Sequence, residues 1–376
     1  MKFATGGGGG ETCASQAGGR IPHSESPTES QAGTGKTHPL SQRVDQLKSG
    51  SAQADLAMRR PFEALVLQVP VMLLPHAGFL GHYHKMYDHI PRLVSFEDLC
   101  AAAGRGAGLD ALPVEVARVL RIAPKPLALT DFAGRDSVAA AMVWMEHNEV
   151  GTLVPVGDLV PTRYGDWSVY ESNWRSMRDQ ISRRFPSVTV APWFVMEDVA
   201  AWGFLNGRYI NELITAFGFF TPCLGCHLHF YMMRAVLSSV IGAEVLISGE
   251  KELHRDGKRK ANQTQVAVDS YARFSQAQGV EQRFPIHKVT SEKDMGRLLG
   301  DGWQEGERQL PCVNSGNDQG LDGKLRITED QIRAYMDGFA VPLATHLVRF
   351  RKEGLTGAAL QSRVDEVVGG LLAEVY

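Results

Sequence analysis

What this chain lacks narrows its chemistry before any motif is read. Its 376 residues include five cysteines, a small and odd number, and no apolar segment of the kind a secretion signal requires stands near Met1. A disulfide framework is therefore not expected; reduced thiols in a cytoplasmic protein are. Long hydrophobic runs are also missing. The most apolar stretch, 64–81, is interrupted by Gln68, Pro70, Pro75 and His76, whereas a membrane helix needs about 20 largely apolar residues. It reads as buried core or as a partner-facing segment. Nor is there an excess of charge: 39 Lys and Arg against 42 Asp and Glu leave a formal net charge of −3. No chain-wide field draws in a polyanion, so neither DNA nor a membrane is an expected partner. No internal repeat is found.

What is present is enough apolar material, 44% of residues, for a sizeable core. Residues 1–57 are rich in Gly, Ser, Thr, Gln and Ala and include the run Gly6–Gly10; such a segment buries too little surface to offset its ordering entropy and is expected to be a disordered tail. Its Gly33–Thr37 stretch (GTGKT) looks like a nucleotide-binding P-loop, but Ser30 stands where the first glycine belongs and no strand precedes it, so the match is read as accidental. Residues 58–125 read as a small N-terminal lobe, with Val94–Leu120 as short helices split by glycines and Pro113. His82, His84 and His89 lack carboxylate or cysteine partners and are read as polar edges of a core rather than a metal site.

From Pro126 the pattern becomes regular. Apolar runs at 127–130, 151–156, 187–193, 244–248 and 284–288 alternate with helical spacing at 136–148, 170–184, 209–217, 227–241 and 263–278. Strands separated by helices imply crossover units, hence an α/β fold with a doubly wound, mostly parallel five-stranded sheet over residues 126–300. Residues 301–376 read as a loop followed by a helical C-terminal region. Ligands of such sheets sit at the carboxyl ends of the strands.

The first such end is Thr130–Val138 (TDFAGRDSV). Unpaired N–H groups and the positive end of the helix dipole favour an anion there, Gly134 permits close approach, Ser137 offers a hydroxyl and Asp136 a cap. A well-capped turn with no ligand fits the same pattern. The stretch Phe132–Ser137 resembles the Ser-Gly-Gly-x-Asp-Ser pyrophosphate loop of the PP-loop ATP pyrophosphatases, the adenine nucleotide α-hydrolase-like superfamily. Gly134, Asp136 and Ser137 match, while Phe132 and Ala133 replace the first Ser and Gly. The resemblance covers roughly Pro126–Leu299, supported by Phe284–Met295 and, loosely, by the turn at Gly249. It implies a HUP-type fold, ATP and Mg²⁺ as cofactors, and nucleotide contacts at Ala133, Gly134, Arg135, Asp136, Ser137 and Gly249, with Asp136 catalytic.

The stretch Thr221–His229 (TPCLGCHLH) sets Cys223 and Cys226 on what reads as a loop before a helix starting near His227, where the helix dipole lowers a thiol pKa. A third ligand is available in Cys312 (LPCVN). Cys-x-x-Cys followed after 85 residues by a lone Pro-Cys resembles the PP-loop tRNA thiolases of the two-thiocytidine synthetase type. That resemblance implies a [4Fe–4S] cluster held by Cys223, Cys226 and Cys312 with one iron site open; Cys226 and Cys312 are also the expected catalytic cysteines, as nucleophile and resolving thiol if the site resembles the cluster-free thiouridylases. The family's arginines after the motif are here His227, His229, Phe230 and Tyr231. Zinc held by the three cysteines with His227 or His229, a Cys226/Cys312 thiol pair, and plain core cysteines remain alternatives. Cys13 and Cys100 are read as non-functional.

The basic segment 250–263 gathers His254, Arg255, Lys258, Arg259 and Lys260 beyond the fourth strand. It reads either as a solvated loop or as a clamp on phosphates through Lys258 and Lys260, with Asn262 and Gln263 as amide contacts. Together these features lead to an expected ATP-dependent sulfurtransferase that adenylates a carbonyl oxygen of tRNA or a small molecule and replaces it with sulfur. A sulfur donor, sulfide or a persulfide carrier, is then a required partner, and a homodimer is left open. A zinc-containing ligase of the cyano-deazaguanine synthase type and a catalytically inactive nucleotide-binding regulator are the other readings.

Overall fold

The computed structural model describes residue 90 and residues 92–375, apart from 254–257, 300–308, 317 and 321. The expected tail, the Gly33–Thr37 stretch, the run 64–81, Cys13, the histidines 82, 84 and 89, and the pair His254 and Arg255 lie outside the described residues.

The sheet is built outward from β2 (Leu127–Asp131), which pairs in parallel with β3 (Thr152–Asp158) on one side and β6 (Ala243–Ile247) on the other. Beyond β3 lies a strand in two pieces, β4 (Thr189–Val190) and β5 (Phe194–Glu197). Pro192, which has no N–H to donate, stands at the break. β1 (Leu93–Ser95) extends the β5 edge and β7 (Glu281–Arg283) the β6 edge, again in parallel. Among the described residues the sheet is seven-stranded and ordered β1-β5-β3-β2-β6-β7, with β4 beside β3.

Period-two alternation sends successive side chains to opposite faces. Leu127 and Leu129 of β2, with Val154 and Val156 of β3, join the core on one face; Ala128 and Leu153 join the core on the other. Both faces are covered, which is why the strands read as nearly unbroken apolar runs. One face carries α3 (Arg135–Met145), α4 (Ser168–Arg184) and α9 (Glu292–Leu299). The other carries α1 (Phe96–Gly104), α2 (Val114–Arg121), α5 (Val199–Asn206), α6 (Ile210–Phe217), α7 (Pro222–Ile241) and α8 (Gln265–Ala277). The C-terminal helices α10 (Glu329–Tyr335), α11 (Val341–Lys352) and α12 (Gly357–Ala373) pack onto that second layer. This is a doubly wound α/β fold of HUP type.

The chain goes from β2 through α3 to β3, and through α4 to β4 and β5. It then returns by α5, α6 and α7 to place β6 on the far side of β2. The order therefore reverses between β2 and β6, and a crevice opens where the turns after these two strands diverge.

Several expectations shift. Five strands become seven: β1 arises within a stretch read as helical, the 187–193 run becomes two short pieces ending at Glu197, and the 284–288 run gives way to β7 at 281–283. The helix expected from His227 begins at Pro222. Thr221 caps it, its hydroxyl accepting from the Cys223 N–H at 3.4 Å, and Pro222 occupies the first turn, where its missing N–H costs nothing. Cys223 and Cys226 thus lie inside the helix at i and i+3, on one face, rather than on a loop.

Candidate active site

Strand β2 ends in the turn 132–134, and α3 starts at Arg135. The Phe132 N–H donates to Val156 O at 2.9 Å, and its ring is fully buried, edge-on to Tyr170 at 5.6 Å. The side chain that replaces the expected serine is therefore part of the core. Ser137 braces the turn: its hydroxyl donates to Gly134 O at 2.8 Å and accepts from the N–H groups of Ala133 and Gly134, each at 3.2 Å. Asn173 of α4 holds Ala133 O at 3.0 Å. The Arg135 Nε donates to Asp136 Oδ1 at 3.1 Å.

The turn after β6 closes on this loop. A Cβ placed on Gly249 would lie 2.7 Å from the Ser137 nitrogen and 2.8 Å from the Asp136 carbonyl carbon. Only glycine permits that backbone-to-backbone approach. The two turns flank the crevice at the switch in strand order.

A cavity of about 470 Å³ opens there. It is lined by the 133–137 turn, by Gly249, Lys260, Asn262 and Gln263, and by Cys223, Cys226 and Cys312. The third cysteine arrives on residues 309–316, which pair antiparallel with the segment after β3: Arg163 and Cys312 form a bridge, Val313 N–H donates to Thr162 O at 3.0 Å, and Tyr164 N–H donates to Pro311 O at 3.3 Å.

Each thiol has a local contact. Cys223 Sγ donates to Asn314 O at 3.6 Å and Cys312 Sγ to Thr162 Oγ1 at 3.5 Å, while Cys226 Sγ accepts from the Trp202 indole N–H at 3.2 Å. Burial pushes the Cys223 thiol up to about 12, with Asp318 adding to it, and pushes Cys226 higher still despite the Trp202 hydrogen bond and Arg163. The expected lowering by the helix dipole is overturned by desolvation. Without a ligand, these two are neutral thiols.

Asp131, Arg163 and Glu250 also line the cavity, and buried charges stand behind them. Arg234 of α7, fully buried, donates to Asp131 Oδ1 and to Val156 O, each at 2.9 Å, and to Asp158. Burial pushes the Asp158 carboxyl up to about 6, with Arg234 pulling the other way. Arg163 donates to the Tyr170 hydroxyl at 3.1 Å, lies 5.1 Å over the Phe230 ring and lines the cavity. His227, also in the lining, has its Nδ1 2.5 Å from Glu250 Oε1, which also accepts from Tyr231 at 2.7 Å, and its Nε2 3.1 Å from Asn262 Nδ2. Burial alone raises the Glu250 carboxyl; His227 and the hydrogen bonds outweigh it and hold it down at about 2.

Of the residues singled out from sequence, Ala133, Gly134, Arg135, Asp136, Ser137, Gly249, Lys260, Cys223, Cys226 and Cys312 line this one cavity, and Lys258 is not among the lining residues. Arg259 is paired with Glu252. His229 is fully buried, its Nε2 3.0 Å from Asp198 O, and is not among the lining residues. Asp131, Arg163 and Glu250 escaped notice because single charged residues at strand ends carry no spacing signal. Thr162 and Asn314 enter only through the pairing of two distant segments.

Among the described residues, no three His, Cys, Asp or Glu side chains stand close enough to hold a single metal ion. A lone zinc with Zn–S near about 2.3 Å would need its sulfurs within roughly 4 Å of one another. Both nitrogens of His227 and the Nε2 of His229 already have contacts. Three soft sulfur donors line this cavity together with Val160 and Phe230, a donor set open to soft metals and iron–sulfur groups alike. No helix among the described residues is long and apolar enough to cross a membrane.

No protein-family model matches the chain. It is 29% identical over 233 residues to an uncharacterized protein of Methanocaldococcus jannaschii, MJ0009, an alignment covering 62% of this chain and 82% of that protein. Among solved structures it is similar to the U34-tRNA thiolase NcsA from Methanococcus maripaludis, determined with its [4Fe–4S] cluster. There the identity is 12% and the TM-score 0.29, over 70% of this chain and 79% of that one.

Proposed function

We propose that this chain is an ATP-dependent sulfurtransferase of the PP-loop kind, which adenylates a carbonyl oxygen of a tRNA nucleobase or of a small molecule and replaces that oxygen with sulfur. The observation that carries the reading is the shared cavity: the turn 133–137 and three cysteines far apart in sequence line the same space. An anion site and a sulfur site in one enclosure are what a two-stage exchange through an activated ester requires.

In the first stage the carbonyl oxygen attacks the α-phosphorus of ATP and pyrophosphate leaves. The N–H groups of Ala133 and Gly134, which Ser137 Oγ now accepts from, and the N-terminus of α3 receive the departing phosphates. Lys260 and Arg163 add positive charge, and Asp136 would hold a Mg²⁺, which would supply further neutralisation of the phosphate charge. In the second stage a sulfur nucleophile adds to the activated carbon and AMP leaves with the original oxygen. Cys223, Cys226 and Cys312 would hold a [4Fe–4S] cluster, which would supply soft-metal affinity for sulfur beside the activated carbon. The apolar wall of Val160 and Phe230 keeps water, the competing nucleophile, from the activated carbon. Sulfide delivers the sulfur directly; from a persulfide carrier the adduct's S–S bond must also be broken by a second thiol, which leaves as a disulfide with the carrier.

The test is anaerobic purification with iron, sulfide and visible absorption measured, followed by pyrophosphate release from ATP in the presence of tRNA or free nucleobases. The expected result is a brown protein that loses iron in the Cys223→Ala, Cys226→Ala or Cys312→Ala variant, and an Asp136→Ala variant that binds iron normally yet releases no pyrophosphate. A colourless protein carrying one zinc sinks the cluster assignment. Full turnover in Asp136→Ala sinks the loop assignment.

A further inference from the structure

The Cys226 sulfur sits in a small apolar island of its own, packed with Val160, Trp202 and Phe230 apart from the two main cores. Into this island a hydrogen bond reaches the sulfur from an adjacent helix: the Trp202 indole N–H of α5 is 3.2 Å from Sγ, with the ring itself only 4% exposed. The direction of the bond matters. An indole N–H can only donate, and it stabilises a thiolate more than a thiol.

The donor is held in place from behind. Asp198 caps α5, its Oδ1 accepting from the Ala201 N–H at 2.9 Å. Arg351 of α11 grips both oxygens of that carboxylate, each at 2.7 Å, and reaches Glu97 at 2.7 Å. Asn206 at the other end of the same helix donates to Trp202 O at 3.0 Å. These bonds fix the backbone of α5 under Trp202, and burial holds the ring itself.

We infer that Trp202 is a positioning residue for the cysteine site, whose N–H orients the Cys226 thiolate and sets the electron density it donates to an iron–sulfur group. This rests on the proposed function in that it takes Cys226 as a ligand. Hydrogen bonds to ligand sulfur stabilise the reduced, more negative state of a cluster and so raise its reduction potential. The neighbouring cysteines carry carbonyl and hydroxyl contacts that accept from sulfur in the thiol form. The contact at Cys226 comes from a group that can only donate, so it persists when the thiol proton is lost.

The experiment compares whole-chain protein, wild type and Trp202→Phe, purified anaerobically. With equal iron content, a lower reduction potential is expected in Trp202→Phe; an unchanged potential overturns the inference. A second reading needs no iron. In apo protein labelled with ¹⁵N, one of the indole N–H resonances is expected to exchange slowly with solvent and to move in Cys226→Ala; if none moves, the inference falls even where Trp202→Phe fails to fold. A wild-type protein that takes up no iron yet shows the Cys226-dependent indole signal keeps the hydrogen bond and removes the cluster reading instead.

Discussion

Replacing Gly249 with alanine tests the switch-point crevice through a single methyl group. The new Cβ would stand 2.7 Å from the Ser137 nitrogen and 2.9 Å from its Cα, where ordinary contact begins at 3.4 Å. These are backbone atoms, so no side-chain rotation relieves the clash; the turn after β6 and the 133–137 turn must part by about 0.7 Å, from 2.7 to 3.4 Å. Overpacking of this kind costs about 1–3 kcal/mol. The loop also moves relative to Lys260 and Asn262 across the cavity. Loss of one or two charge-assisted hydrogen bonds to phosphate, each about 1.5–3 kcal/mol, weakens nucleotide binding by roughly tenfold to a hundredfold or more, at 1.4 kcal/mol per tenfold. Calorimetric titration with ATP and Mg²⁺, alongside a denaturant midpoint, separates the two effects. A Gly249→Ala protein with wild-type stability and wild-type ATP affinity would refute both the close approach and the placement of the nucleotide.

Other perturbations follow from the buried charges. Arg351→Ala leaves Asp198, 4% exposed, without its bidentate partner and is expected to lose about 3–5 kcal/mol of stability, read from urea or guanidinium midpoints; a change under 1 kcal/mol would show the pair to be dispensable. His229 is kept neutral by burial, its imidazole pushed down to about 4 from 6.5. Between those values the unfolded chain binds a proton that the folded chain does not. The contribution to stability is therefore complete above pH 6.5 and is lost as pH falls toward 4, at up to about 1.4 kcal/mol per pH unit. His229→Gln should flatten the pH dependence of the midpoint in that window, and parallel profiles would refute a buried neutral imidazole.

The elements legible in the sequence were those with long, consistent periodicity. β2 and β3 are buried on both faces and announce themselves as apolar runs, and α8 keeps its apolar face from Val266 to Phe274. β1 is three residues long and borrows its pairing from β5; nothing in LVS separates it from the helix that Ser95 caps immediately afterwards. α5 is apolar almost throughout, with a glycine in the middle, so it shows no amphipathic stripe. Its existence depends on a cap at Asp198 that is itself secured by Arg351, more than a hundred residues away in the chain.

The candidate site divides along the same line. The 133–137 turn is local, and its anion-binding character can be read from a strand end, a glycine and a helix start. Phe132 departs from the pattern of the loop it resembles because its side chain points into the core beside Tyr170, a position where a serine hydroxyl would be buried without a phosphate to meet. The cysteines are different. Their number made Cys312 the available partner of Cys223 and Cys226, but what brings it to the cavity is backbone pairing between two irregular segments, with Thr162 and Cys312 in contact across 150 positions. Such pairing leaves no hydrophobic period and no turn signature. It also explains the exposed Tyr164 and Val313 beside the cavity mouth, at 55% and 68%: in a two-stranded pairing at the surface, alternate side chains must face outward if Arg163 and Cys312 are to face in. Function here thus depends on a contact whose cause is geometric rather than compositional, and the residues that make it are the ones a sequence pattern passes over.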